Sequence, residues 1–168
     1  MKDNEMTKFT KIYLDLDGVI ADFTKRYREL YDCEPSHDDA RKRFGARFGA
    51  FIQTKQFQTL DMMPDATVLL NYLNRCGVPV EILSSTARPI NNAEISRQKE
   101  VWLGKHNINY PANFVPGKSL KYKFADENSI IIDDTPSVID DWNKAGGTGI
   151  LHKDALTTIS ILDALLRG

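Results

Sequence analysis

The sequence predicts an α/β domain built on a mostly parallel sheet with helices on both faces, three layers in all. Two observations predict it. Strand-like and helix-like stretches alternate along the chain, and the strand-like runs at residues 12–14, 80–83 and 130–132 are continuously apolar or nearly so. A strand buried on both faces reads this way, whereas a half-exposed strand alternates.

Taken in order, a first strand is expected over residues 11–15, with a turn at Gly18 and a helix over residues 23–31 capped by Asp22. Pro35 interrupts, and Ser36 with Asp39 three residues on forms a capping pattern for a second helix. The segment 38–59 differs in composition: Phe44, Phe48 and Phe51 recur at helical spacing among Arg41, Arg43 and Arg47, and Phe-Gly-Ala occurs at 44–46 and again at 48–50. Gly45 and Gly49 each weaken a helix by about 1 kcal/mol relative to alanine, so a bend or a mobile stretch is expected. The phenylalanines fit the core face of a small helical insertion; the alternative is that one or two of them close a pocket.

Met63-Pro64-Asp65 reads as a helix start, with Val68, Leu69, Tyr72 and Leu73 as its apolar face and Cys76-Gly77 at its end. A second strand, 78–83, runs into Ser84-Ser85-Thr86. Residues 92–107 form an amphipathic helix with Ile95, Trp102 and Leu103 inward, and His106 suits its C-terminal dipole. A short strand at 114–115 and the lysines Lys118, Lys121 and Lys123 lead to a strand at 129–132 that ends in Asp133-Asp134. Thr135-Pro136 opens a helix that Gly146-Gly147 stops, and a strand at 149–151 and a helix at 156–166 close the chain.

At 168 residues the chain suits one domain with a small insertion. The only boundary suggested is that insertion, which divides the chain into a core of residues 1–33 and 62–168 and an insertion of 34–61. A net charge of −1 argues against an extended nucleic-acid surface. Cys33 and Cys76 lie far apart, which suits reduced thiols rather than a disulfide framework. No run approaches the roughly 18 apolar residues of a membrane span. A soluble cytoplasmic protein is expected.

Three strand ends carry the polar residues: Asp15 and Asp17, then Ser84 to Thr86, then Asp133 and Asp134. In an open parallel sheet, ligands bind beyond those ends. Several carboxylates in one cleft call for a hard divalent cation, Mg²⁺ being the simplest, and no His/Cys set for zinc is present. A metal, hydroxyls and a lysine together suit a phosphate, which one aspartate can attack while a second handles the proton.

These elements, in this order, resemble the four signatures of the haloacid dehalogenase superfamily of phosphohydrolases. Asp15-Leu16-Asp17-Gly18-Val19 resembles the first, Ile82-Leu83-Ser84 the second, a lysine the third, and Ile130-Ile131-Ile132-Asp133-Asp134 the fourth. The resemblance implies a Rossmann-like α/β/α sandwich with a small helical cap. It implies Asp15 as nucleophile and Asp17 as general acid/base, with Asp aligned at the second position as in phosphatases. Ser84 and Ser85 would bind phosphate together with Lys121, which fits the third signature better than Lys118 or Lys123. Asp15, Asp17 (through its carbonyl), Asp133 and Asp134 would hold Mg²⁺. Within the superfamily the chain is most similar to the 5′(3′)-deoxyribonucleotidase branch, through residues 17–23, the short insertion before Met63-Pro64, and residues 142–151.

That branch implies a small phosphorylated substrate, a nucleoside monophosphate, with Phe44, Phe48 or Phe51 near the base and Arg88 near the phosphate or a second anion. A surface pairing of Arg88 with Glu81 or Glu94 is the plainer alternative. A homodimer is compatible with the sequence. Two other readings are weighed: a phosphatase of 3′-phosphate ends, supported by Arg41, Lys42, Arg43, Arg47 and Lys55, and a binding module without turnover.

Overall fold

The structure, a computed structural model, describes residues 7–37 and 43–168. The expected capping contribution of Asp39, and the positions of Arg41 and Lys42, lie outside the described residues. Among the described residues, five strands form one sheet: β1 (Lys11–Leu14), β2 (Val80–Ser85), β3 (Ala112–Val115), β4 (Ser129–Asp133) and β5 (Thr148–Leu151). Their spatial order is β3-β2-β1-β4-β5 and every pairing is parallel, so the mostly parallel sheet expected is wholly parallel. The helices are α1 (Phe23–Tyr31), α2 (Arg43–Gln53), α3 (Ala66–Leu73), α4 (Asn92–Lys105), α5 (Pro136–Lys144) and α6 (Ala155–Arg167).

The strand pattern follows from burial. Ile130, Ile131 and Ile132 are all inaccessible to solvent, as are Ile12, Leu14, Ile82 and Leu83. The sheet therefore separates two apolar layers. The larger contains Ile12, Leu14, Ile82, Ile130, Trp102 and Leu69, and the smaller contains Leu83, Ile131, Val138 and Trp142. Asp22 caps α1 by accepting from the Lys25 N–H at 3.1 Å, as its type and position predict. Pro35–His37 form a 3₁₀ turn, and the residues that would continue a helix from Ser36 lie outside the described residues. His106 stands at the C-terminal end of α4, where burial lowers its pKa and its ring packs on Trp102 with centroids 4.4 Å apart. Both cysteines are free. Among the described residues, no helix is long and apolar enough to cross a membrane.

The insertion is held against the core rather than hung from it. Its helix α2 is continuous despite Gly45 and Gly49, because an aromatic stack fixes it: Phe44 on Phe48 at 5.5 Å, Tyr27 on Phe44 at 5.7 Å, and Phe23 on Phe57 at 5.7 Å. Such pairs are each worth about 0.5–1.5 kcal/mol beyond their burial, which offsets the two glycines. Phe51 and Phe57 are themselves buried. Helix α4 clamps the return: Gln98 donates to the Ile52 carbonyl at 2.8 Å, and Trp102 Nε1 donates to the Leu60 carbonyl at 2.7 Å.

Candidate active site

The chain leaves β1 toward β2 on one side and β4 toward β5 on the other, so β1 and β4 flank the point where the winding reverses. Ligand crevices open at that point in parallel sheets. Both strands end there in acid. The Asp15 N–H extends the ladder to the Ile132 carbonyl at 3.0 Å, which sets Asp15 beside Asp133. Between them stands Lys121, from a 3₁₀ segment Lys118–Phe124. Its Nζ donates to Asp15 Oδ1 at 3.0 Å and to Asp133 Oδ2 at 2.7 Å, with only 2% of the residue exposed. Lys118 and Lys123 are exposed, and Lys118 lies on the cavity rim.

After β1 the backbone turns sharply: the Leu16 carbonyl accepts from the N–H groups of Val19, Ile20 and Ala21 at 3.1, 2.9 and 2.9 Å. Gly18 enables this turn with φ +83°, and it also makes room, since a Cβ there would fall 1.9 Å from Asp134 Oδ2. The turn brings Asp17 back toward Asp15. Both line one cavity of about 230 Å³ with Ser85, Lys118, Lys121 and Asp134.

The structure separates the two serines. Ser84 is fully buried, and its hydroxyl accepts from a lysine of α4; Ser85 lines the cavity. Ser85 Oγ accepts from the Ala87 N–H at 3.1 Å, which leaves its own O–H free to donate to a ligand. Ala87 holds φ +69° in doing so, a conformation that costs a non-glycine residue roughly 1–2 kcal/mol.

The lysine that bonds Ser84 is Lys99, and sequence reasoning missed it. It is 2% exposed, and its Nζ donates to Asp17 Oδ2 at 3.0 Å, Ser84 Oγ at 2.7 Å and the Ser85 carbonyl at 2.9 Å. Its sequence neighbours contain a signal. Ile95, Gln98, Trp102 and Leu103 are the other buried residues of α4, and Lys99 falls within that stripe at helical spacing.

A second, larger cavity of about 610 Å³ adjoins the first, with Asp17, Phe23, Ser85 and Lys118 common to both. Phe44, Phe48, Phe57, Ile52 and Ile95 make its walls apolar, and Arg88 lies on it. Phe51 is core, so the three phenylalanines at helical spacing divide between packing and lining. Glu81 pairs with Lys11 and Glu94 with Arg97, not with Arg88.

The acidic centre fits a metal ion. Ligand oxygens of Asp15, Asp133 and Asp134 lie within 4.8 Å of one another, all of them hard donors. Four carboxylates including Asp17 face the two buried lysines, so when fully ionised the acids outnumber the buried cations. Without a cation the excess shows in the acids. Burial, with the neighbouring carboxylates, holds Asp15 well above the usual carboxylate range against the pull of Lys121. Desolvation on its inner side and then Asp133 push Asp134 up to about 6. Burial opposes the charge on Lys121, but Asp15 and Asp133 outweigh it and hold its pKa above the usual lysine value.

A carboxyl raised in the fold contributes stability below its unfolded value, and that contribution is lost as pH rises through the folded value. Metal-free protein is therefore expected to lose stability from about pH 4 to beyond about pH 6, and a divalent cation to restore it. The rise in Tm on adding Mg²⁺ over EDTA should be small near pH 5 and larger near pH 7.5. Equal increments at both would exclude these acids as the cation site.

No family model matches the sequence, and no curated protein does. Solved structures match in fold. A hydrolase from Streptococcus pneumoniae TIGR4 superposes with a TM-score of 0.54 at 16% identity, over 93% of this chain and 99% of that one. D,D-heptose 1,7-bisphosphate phosphatase from Burkholderia thailandensis does so with a TM-score of 0.55 at 11% identity, over 93% of this chain and 98% of that one. At these identities the likeness is one of architecture, and the residues of the site must carry any statement about chemistry.

Proposed function

We propose that the chain is a phosphohydrolase of the haloacid dehalogenase type, a Mg²⁺-dependent phosphomonoesterase acting on nucleoside monophosphates in the manner of the 5′(3′)-deoxyribonucleotidases. The observation that carries the reaction is the convergence of Asp15 and Asp17 on one small cavity, with Lys121 against the first and Asp134 on its rim.

In this reading the substrate phosphate occupies the smaller cavity. Asp15 attacks phosphorus and forms an acyl phosphate as the P–O bond to the leaving group breaks, and Asp17 gives that oxygen its proton. Water then attacks the acyl phosphate while the Asp17 carboxylate takes a proton from it, which releases phosphate and restores Asp15. Asp15, Asp133 and Asp134 would hold the cation, which when bound offsets the charge of phosphate and nucleophile together. Lys121 keeps Asp15 paired with a positive charge throughout, and the Ser85 O–H and Lys118, which line the same cavity, would donate to phosphate oxygens.

The larger cavity supports the nucleoside. Its volume of about 610 Å³ lies within the usual range of small-molecule sites, and the Phe44–Phe48 pair offers aromatic faces for a base. Arg88 is available to a polar edge or a second anionic group.

A panel of phosphomonoesters assayed for phosphate release with Mg²⁺ and with EDTA tests the reading. Release that EDTA abolishes is expected, with kcat/KM for nucleoside monophosphates about ten-fold or more above that for glycerol phosphate, the scale of one stacking contact. Equal rates on both would remove the nucleotide from the reading. No release from any member would remove the enzyme.

A further inference from the structure

The larger cavity has an edge made of donors that a neutral base does not need. Arg88, Asn91 and Lys118 line it, and among the described residues none of their side chains has a carboxylate or other hydrogen-bond partner. Asp17 is the one acid on that lining, at the junction with the smaller cavity, and its Oδ2 already accepts from Lys99. Local backbone sets the edge. Ala87, at φ +69°, closes a three-residue turn in which the Arg88 N–H donates to the Thr86 carbonyl at 2.8 Å, the strained hand of such turns. The Arg88 carbonyl then accepts from the Asn91 N–H at 3.0 Å, so both residues leave a single turn. Lys118 arrives alongside from the end of β3. The Thr86 N–H donates to the Val115 carbonyl at 2.8 Å, and a Cβ on Gly117 would stand 3.7 Å from the Ala87 carbonyl. Strained backbone of this kind clusters at ligand sites.

We propose that this edge is a second anion subsite, and that the preferred substrate is a nucleotide with a second phosphate across the sugar, a nucleoside 3′,5′-bisphosphate. Two cations and an amide that no protein acid neutralises suit a dianion, and a guanidinium matches phosphate oxygens with paired N–H donors. The placement selects the kind of bisphosphate. Arg88 lines the larger cavity and not the smaller, whereas Lys118 lines both. In a nucleoside diphosphate the two phosphorus atoms share an oxygen, so both would crowd the smaller cavity. In a 3′,5′-bisphosphate the sugar separates them. The scissile phosphate then faces Asp15, the second faces Arg88, and Lys118 stands between. Water splits one P–O bond, one phosphate is released, and the other leaves on the nucleoside monophosphate.

The subsite rests on the phosphohydrolase reading, and a substrate series separates the two. Phosphate release is measured on a nucleoside 3′,5′-bisphosphate and on the 3′- and 5′-monophosphates of the same nucleoside, with Mg²⁺. The wild-type kcat/KM for the bisphosphate is expected to exceed that for either monophosphate by about ten-fold or more, the scale of one charge-assisted hydrogen bond. Arg88 is exposed, so Arg88→Gln should keep the fold and lose most of that preference. The wild-type preference should also shrink as salt rises, because exposed charges are screened. Wild-type protein that hydrolyses the monophosphates without preferring the bisphosphate would overturn the subsite and leave the phosphohydrolase reading standing. Equal losses on all three substrates in Arg88→Gln would do the same. Wild-type protein that hydrolyses none of them would overturn that reading, and the subsite with it.

Discussion

Asp15→Asn is expected to abolish phosphate release, by at least about 10⁴-fold in kcat, the scale on which loss of a covalent nucleophile is felt. The same variant should melt no lower than the parent. Asp15 is a buried carboxylate that burial and its acidic neighbours hold well above the ordinary range, so the fold bears the cost of its charge. Asparagine has nearly the same shape and retains an oxygen to accept from Lys121. It also removes one of the charges crowded on Asp133 and Asp134. A buried carboxylate that costs its fold stability is the pattern of a functional site rather than of a structural one. Parallel measurement of phosphate release and of Tm in EDTA checks both halves. Activity near wild type would remove Asp15 as nucleophile, and a sharply lowered Tm would mean that its charge is structural.

Lys121→Met should do the reverse and act first on stability. Among the described residues, Lys121 is the one cation within hydrogen-bond distance of both Asp15 and Asp133, and all three are buried. Removing one partner of a buried ionic cluster typically costs about 3–5 kcal/mol, because the remaining charges are left uncompensated. For a chain of this size that lowers Tm by roughly 10 °C. The loss should be smaller at acid pH, where the carboxyls bind protons, and smaller again with Mg²⁺ present. Lys118→Ala and Lys123→Ala, at exposed positions, should stay within about 0.5 kcal/mol of the parent. Thermal melts of the three variants in EDTA distinguish the buried lysine from its two neighbours in sequence.

The acids were legible in the sequence because their placement is a contradiction. An apolar strand that ends in carboxylate asks for a compensating charge, and Asp15 and Asp133 find it in the same lysine. Parallel order was legible too, since Ile130, Ile131 and Ile132 leave no polar face for water. Lys99 was hidden for a physical reason. A lysine within an amphipathic helix normally carries its charge out to solvent, and only the nearness of Asp17 and Ser84, at positions distant in sequence, makes an inward one tolerable. The serines were ambiguous because successive strand residues face opposite ways, and sequence alone does not say which way Ser84 turns. The phenylalanines share one spacing, yet Phe51 is buried against Phe23 and Phe57 while Phe44 and Phe48 are left to line a cavity. That division depends on how far the insertion leans over the core, which no local pattern records.

The position of β1 governs when the site can exist during folding. It comes first in the chain yet lies in the middle of the sheet, where Ile12 is in register with Val80 on one side and with Ile130 on the other. Neither partner is local, and both loops must close before β1 is secured, which makes folding of such sheets slow. During synthesis Asp15 therefore emerges long before Lys121 and Asp133, which alone give its charge a setting. Until they arrive, that carboxylate stands in water without the lysine that pairs with it in the fold. The pairing of Asp15 with Asp133 is assembled only once the late strands have docked.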